Sequence, residues 1–298
     1  MQTEDNYNVK YESTFRIGGT VSKAAFPTTI DELVELLKSK EYDMVLGSCS
    51  NVLFSSNRIN KNIIFTKNLN EFSFDGRYLT VACGAKGPVI AKECAKRNLS
   101  GFEFMAGFPG SFGGMIAMNA SAHQQAVSDT LVEAVLFDLK KSKIVKLQKD
   151  ELKFAYRNSI VKSGNYVVLQ AVFLLNEKPF EEINSIMERN VEFRKQHQPS
   201  LTFGNAGSVF KNPLNDSAGR LLDLCEFKGV KCGGAMVYEK HANFIVNFDN
   251  ATSSDVIKLM YQMYSKVKER YTIELQPEII YIGDEETEEQ KLWKKFKK

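Results

Sequence analysis

The sequence predicts an α+β protein, and three observations carry that prediction: paired strand signals around good turn residues in the middle of the chain, amphipathic helical stretches flanking them, and no regular βαβ alternation. From the start, Thr14 to Gly19 reads as a short strand ending in a turn, and Ala24, Ala25 and Phe26 as a strand closed by Pro27. Asp31 is placed to cap the next helix, whose apolar face is Ile30, Leu33, Val34 and Leu37. Asp43 to Leu46 and Ile63 to Phe65 are brief buried strands, and Phe72 to Phe74 pairs with Tyr78 to Val81 across the turn Asp75-Gly76-Arg77. Pro88 suits the first position of a helix with Val89, Ile90 and Cys94 on its apolar face. Leu131 to Leu139 and Lys143 to Leu147 make a second hairpin, followed by a long buried strand over Tyr166 to Leu175.

Phe180 to His197 is a charged amphipathic helix that marks a boundary, because a new set of elements follows it. Asp216 or Ser217 caps a short helix through Leu221, Leu222 and Leu224. Thr252-Ser253-Ser254-Asp255 resembles a capping box, with Val256, Met260, Met263 and Val267 at core-facing helical spacing behind it. Ile273 to Ile282 reads as an edge strand interrupted by Pro277, and residues 284 to 298 as a charged, solvated tail.

Composition narrows the class. A chain of 298 residues has room for two or three modest domains, and 43% apolar with 25% charged residues is the balance of a globular protein. A net charge of +3 gives no argument for nucleic acid or an anionic membrane. The longest nearly apolar run, Val167 to Leu175, is too short to span a bilayer, and the polar N-terminus carries no signal core. Five scattered cysteines without a C-x-x-C pair suit a reducing cytoplasm and no structural metal.

Two small-residue stretches ask for a ligand. In Ala106 to Ala120, Gly107, Gly110, Gly113 and Gly114 bare successive backbone amides, Pro109 fixes one turn, and Ser111 and Asn119 add polar side chains; such a loop can cradle a polyanionic or planar group. It matches neither the Walker loop nor the Rossmann glycine fingerprint, and it is also compatible with an ordinary glycine-rich connection. The second stretch, Gly47-Ser48-Cys49-Ser50-Asn51 running into Val52 and Leu53, is a weaker cradle and equally a tight turn.

Three polar residues stand in unusual surroundings. Ser208 lies among small residues in Asn205 to Pro213, with Lys211 and Asn212 close behind; Arg157 is an aromatic-flanked guanidinium suited to a carboxylate or phosphate. Glu278 shares a strand face by alternation with Ile280 and Ile282, an apolar setting that would raise its pKa. Taken singly, these also fit a turn serine, a surface ion pair and a solvated strand end.

Taken together they resemble the UDP-N-acetylenolpyruvoylglucosamine reductases. Ala106 to Gly114 with Asn119, Tyr156-Arg157, Gly207-Ser208-Val209-Phe210-Lys211-Asn212-Pro213, Glu239-Lys240-His241-Ala242-Asn243-Phe244 and Pro277-Glu278 occur in that family's order over residues 13 to 283. The resemblance implies a vanillyl-alcohol-oxidase-type (PCMH-type) FAD-binding domain in two lobes, residues 1–68 and 69–190, then an α+β substrate-binding domain at 191–283 and the tail at 284–298. It implies a bacterial cytoplasmic enzyme of peptidoglycan synthesis that uses NADPH and FAD to reduce the enolpyruvyl ether of UDP-GlcNAc to UDP-MurNAc. Arg157, Ser208 and Glu278 match the catalytic residues, Lys211 and Asn212 lie at substrate positions, and residues 47–53 and 107–114 match the FAD loops.

Arg157 is followed so closely by the Tyr166 strand that the chain resembles the subclass without a substrate-clamping tyrosine loop. Neither cradle presents a matched His or Cys attachment, so FAD is expected to be non-covalent. One departure stands out: the first cradle usually reads Gly-Gly-Gly-Ser-Asn, and here Ser48 and Cys49 add two side chains. Other readings are another FAD oxidoreductase on the same scaffold, or a catalytically silent protein binding FAD or a UDP-sugar.

Overall fold

The computed structural model describes residues 1–200 and 202–297. Its contacts divide into two compact units: residues 1–4, 24–48 and 62–193 form the first, and 5–23, 49–61 and 194–298 the second. The segments 5–23 and 49–61, which the sequence assigns to the first FAD lobe, therefore group with the C-terminal part of the chain. The division falls inside the first cradle, between Ser48 and Cys49.

The first unit is built on a five-stranded antiparallel sheet with the order Lys143–Gln148, Leu131–Asp138, Tyr166–Leu174, Tyr78–Ala82, Phe72–Asp75. Both predicted hairpins and the long central strand are present in register, with Asp138 opposite Lys143 and Asp75 opposite Tyr78. Buried and half-buried residues alternate over residues 169–174 of the central strand, the pattern of a sheet with one face in a core, while 167–169 and 136–138 are buried throughout. Against that face lie the helices Gly87–Ala95 and Phe112–Met118, whose Ile90, Cys94, Phe112 and Ile116 join Phe102, Phe137 and Phe173 in a single core. Val89 is 51% exposed, off that helix's buried face. A short parallel pair, Met44–Leu46 with Ile63–Phe65, carries the helix Ile30–Ser39. Thr29, not Asp31, caps that helix, its hydroxyl accepting from the Glu32 amide at 3.2 Å; Asp31 sits within the first turn, favourable to the helix dipole.

In the second unit Val52–Phe54 pairs in parallel with Ile280–Ile282, and Ala235–Val237 pairs antiparallel with Ile245–Asn247. The helix Ser253–Tyr271 supplies the core spine. Thr252 and Asp255 form the predicted capping box, and Val256, Met260, Met263 and Val267 are fully buried. Ser217 caps the helix Ala218–Leu224.

Four expectations need correction. Thr14 to Gly19 is not a strand; Phe15 and Ile17 instead enter the second unit's core from irregular backbone. Residues Gln2–Asn8, without an apolar pattern to announce them, form a strand. The final strand is only Ile280–Ile282, because Pro277 leaves the preceding residues with a lone bridge to Phe210. Ile280 is 45% exposed, so the apolar strand face invoked for Glu278 does not reach it. Last, the expected solvated tail at 284–298 is folded over its described residues, 284–297: Thr287 caps a helix over Glu288–Lys294, and Trp293 and Phe296 are each only 5% exposed in the second core. Among the described residues no helix is long and apolar enough to cross a membrane.

Candidate active site

In the first unit the two cradles are tied together. The Ser48 amide donates to Ser111 Oγ at 3.2 Å, and a Cβ on Gly47 would lie 2.0 Å from that same hydroxyl. Glycine at 47 is therefore a requirement of the contact. The longer cradle spends part of its backbone on the fold: Gly110 O accepts from Gly87 N at 3.1 Å, the Phe112 amide donates to Ala85 O, and the Gly113 amide to Cys83 O at 2.8 Å. Its second half is the helix Phe112–Met118, so the expectation of a wholly bare run of amides holds only in part. The Gly114 amide has no partner among the described residues, and a Cβ there would meet nothing nearer than Ser111 Oγ at 3.9 Å. Gly107 and Pro109 are half-buried beside it.

Asn119 ends that helix in the left-handed conformation, φ 42°. Its Nδ2 donates to Ala155 O at 3.2 Å, while its Oδ1 is buried with no partner among the described residues. A buried amide oxygen without a donor is costly, which points to a ligand donor at that spot. Ala155 and Asn158 close a two-bond turn with Tyr156 and Arg157 at its tip. Arg157 takes φ 53°, a conformation that costs a side-chain-bearing residue about 1–2 kcal/mol, and its Nη1 donates to Ser121 Oγ at 2.8 Å. Ser159, buried, anchors the far side of the turn to Ala117 O. The chain between this turn and the Tyr166 strand is a single turn of 3-10 helix, Ile160–Ser163.

In the second unit a side chain does the work of a strand. Asn243, 2% exposed, accepts from the Phe210 amide at 3.0 Å and donates to Phe210 O at 2.8 Å, while its own carbonyl accepts from Val209 N. The segment holding Ser208 is thereby fixed on one edge, with Ser208 bridged to Phe244. On the other edge the Glu278 amide donates to Val209 O at 2.9 Å and the Lys211 amide to Gln276 O. Ser208 and Glu278, both half-buried, are so brought onto one ladder. Asn51 extends it: its Nδ2 donates to Glu278 O at 3.0 Å and its carbonyl accepts from Ile280 N.

The remaining predicted residues divide. Ser50 is half-buried and its amide has no partner among the described residues. Cys49 is buried at φ 47°, a conformation glycine adopts freely, so the departure at this position carries backbone strain. Val52 and Leu53 are core strand residues, and the Val52 carbonyl is taken by Ser13 Oγ. Asn212 is exposed, and its Oδ1 accepts from Ala218 N at 3.1 Å, supporting the start of the next helix. Asn243, Ser121 and Ser159 are the positioning residues that sequence reasoning missed; only Asn243 lay within a quoted motif.

Behind Asn243, His241 Nδ1 accepts the Asn243 amide at 3.2 Å and its ring stacks edge-on to Phe244 at 4.7 Å. Burial holds the imidazole below its ordinary pKa, which keeps that acceptor nitrogen unprotonated.

Comparison with known proteins settles the family. An FAD binding domain matches residues 21–148, and the UDP-N-acetylenolpyruvoylglucosamine reductase C-terminal domain matches 198–282. The UDP-N-acetylenolpyruvoylglucosamine reductase of Caldicellulosiruptor bescii is 38% identical over 289 residues, 95% of this chain and 91% of the relative. The chain belongs to the UDP-N-acetylenolpyruvoylglucosamine reductase family. A family member from Alkaliphilus metalliredigens is 36% identical over 93% of the chain and 92% of its own length. The crystal structure of the family's Thermus caldophilus member superposes with a TM-score of 0.80 at 30% identity, covering 94% of this chain and 98% of that one.

Two outcomes test this geometry. Asn243→Ala strands the Phe210 amide and carbonyl and should cost about 2–4 kcal/mol in denaturant unfolding; a change below about 0.5 kcal/mol would mean the side-chain ladder is dispensable. The lowered pKa of His241 means that the unfolded chain takes up its proton first as pH falls, so stability is full above the ordinary imidazole range and declines below it. The melting temperature should drop from about pH 7 to pH 5, and His241→Gln should flatten part of that slope; parallel slopes would remove His241 from the effect.

Proposed function

We propose that this protein reduces UDP-N-acetylglucosamine enolpyruvate to UDP-N-acetylmuramate with NADPH and FAD, in the cytoplasm, for peptidoglycan precursor synthesis. One observation supports the reading beyond family membership: the Glu278 amide donates to Val209 O at 2.9 Å, so the backbone that carries this carboxyl runs beside the segment that carries Ser208. Such a pair suits addition of a proton at carbon next to a carboxylate.

The residues present fit FAD. In the first unit Gly47, forced to be glycine by Ser111, leaves space for a flat group, and the unpartnered Gly114 amide and orphaned Asn119 Oδ1 are a donor and an acceptor for it; in the second unit the Ser50 amide is a further donor for a phosphate. Ser48, Cys49, Asn51, Val52, Leu53, Gly107, Pro109, Gly110, Ser111 and Gly113 complete the two loops, which hold it without a covalent bond. FAD held there would supply the hydride chemistry, with NADPH as the source of the hydride.

The chain's own residues handle charge and the proton. Arg157 meets the substrate carboxylate, and its guanidinium, oriented by Ser121, offsets the charge that builds there. Glu278 gives a second contact to that charge, as a neutral acid or through a water. Ser208 Oγ delivers its proton to the carbon bearing the carboxylate, and Lys211, three residues on, helps to replace it. Asn212 contacts substrate through its amide nitrogen, its oxygen being held by Ala218.

Two measurements test the reading. Acid precipitation of the yellow holoprotein should release all the flavin to the supernatant; colour kept in the pellet would contradict non-covalent binding and direct attention to Cys49. In rapid mixing, Ser208→Ala should be reduced by NADPH at nearly the parental rate, yet be reoxidised by the enolpyruvyl sugar about a hundred- to ten-thousand-fold more slowly. Reoxidation at the parental rate would remove Ser208 from the chemistry, and a parent that the sugar cannot reoxidise would leave a silent binding protein.

A further inference from the structure

The C-terminal segment makes more contacts than a covering helix needs. Glu289 gathers three hydroxyls from three separate elements: Ser55 Oγ at 2.9 Å, Ser253 Oγ at 2.7 Å and Tyr281 OH at 2.6 Å. Ser253 in turn exchanges bonds with Ser56 through both of its backbone-facing groups, N to Oγ at 2.9 Å and Oγ from N at 2.8 Å. One carboxylate thus fastens the helix to the end of the Val52–Phe54 strand, to the Ile280–Ile282 strand beside it and to the start of the long Ser253–Tyr271 helix.

A turn and a half further on, Trp293 and Phe296 close the clasp. Trp293 lies 5.6 Å from the Tyr281 ring, and Phe296 lies 5.5 Å from Tyr264, 5.9 Å from Tyr261 and 6.1 Å from Phe210. That last contact matters for chemistry. Phe210 is the residue whose backbone Asn243 grips, it is fully buried, and it sits two residues from Ser208 and one from Lys211. Hydrogen bonds fix the segment along its edges; the Phe296 ring fixes it from the side. Cores are close-packed, so removing that ring leaves Phe210 room to shift, and the serine two residues away moves with it.

We infer that Phe296 is a positioning residue for Ser208, acting through Phe210, and that the segment 284–297 is a clasp which sets the proton-donating ladder. The inference rests on the reductase reading above. It differs from a merely structural role in one respect: it affects the half-reaction that needs the Ser208 proton and spares the half-reaction in which NADPH reduces the flavin.

The test uses the holoenzyme and three readouts. The chain's one tryptophan is Trp293, so its emission and its quenching by acrylamide report whether the clasp remains docked. With docking verified, Phe296→Ala should be reduced by NADPH within about twofold of the parental rate and reoxidised by the enolpyruvyl sugar about ten- to a hundredfold more slowly, the scale expected for a displaced catalytic group. Phe296→Leu, which keeps most of the apolar volume, should fall between the two; if the alanine variant does not fold, a selective slowing of at least about threefold in the leucine variant carries the test. Variants that reoxidise like the parent, or that lose both half-reactions equally, would overturn the inference. Failure of the parent itself to be reoxidised by the sugar would instead defeat the functional reading, so the two failures are told apart by the parental trace.

Discussion

The second unit depends on one side-chain amide. Asn243 pairs with both backbone groups of Phe210, as a neighbouring strand would, and does so in a space 2% open to solvent. A buried peptide group must find a partner, and among the described residues only an isolated bridge, Ser208 to Phe244, lies on that side of residues 208–211. With this edge satisfied, the opposite edge is free to pair with residues 276–278, and Asn51 joins behind them. Remove the amide and the pairing loses its reason to stay in register.

The first unit solves its own problem with missing atoms and strained backbone. Ser111 approaches Gly47 so closely that no side chain can stand there, and in exchange its hydroxyl takes the Ser48 amide. Arg157 and Asn119 both adopt left-handed backbone, each pinned by neighbours: Ser121 and Ser159 around the arginine turn, the end of the Phe112–Met118 helix at Asn119. Such conformations persist only where surrounding bonds over-determine them, and they collect at functional positions.

Local signals in the sequence were dependable where the structure is local. Periodic apolar residues behind Thr252, the turn at Asp75-Gly76 and the amphipathic run from Phe180 to His197 all stand as read, since caps, turns and helical faces involve neighbours a few residues apart. Long-range pairing was not legible. The interruption at Pro277 was read but not that it leaves only Ile280–Ile282 as strand; Trp293 and Phe296 drew a lysine-rich segment into the core, and nothing in the spacing around Asn243 says that it reaches Phe210, 33 residues away. The apolar pair at 293 and 296 was the available clue, one helical turn apart. Arg157, Ser208 and Glu278 were found by motif; the bonds that set their positions were not.

The second unit joins residues 5–23 and 49–61 with a segment far along the sequence, and this constrains the order in which it can form. The Asn205 amide donates to Thr14 O and Asn247 Nδ2 to Phe15 O, partners 191 and 232 residues apart in the chain. Closing so long a loop precedes any reward from the contact, which slows folding. On the ribosome, Phe15 and Ile17 are made well before residues 205–247, and the full burial they reach in the folded unit waits for those residues. Phe15 and Ile17 therefore stay exposed as apolar surface until residues 205–247 have been made, a standing demand on whatever shields hydrophobic surface during elongation.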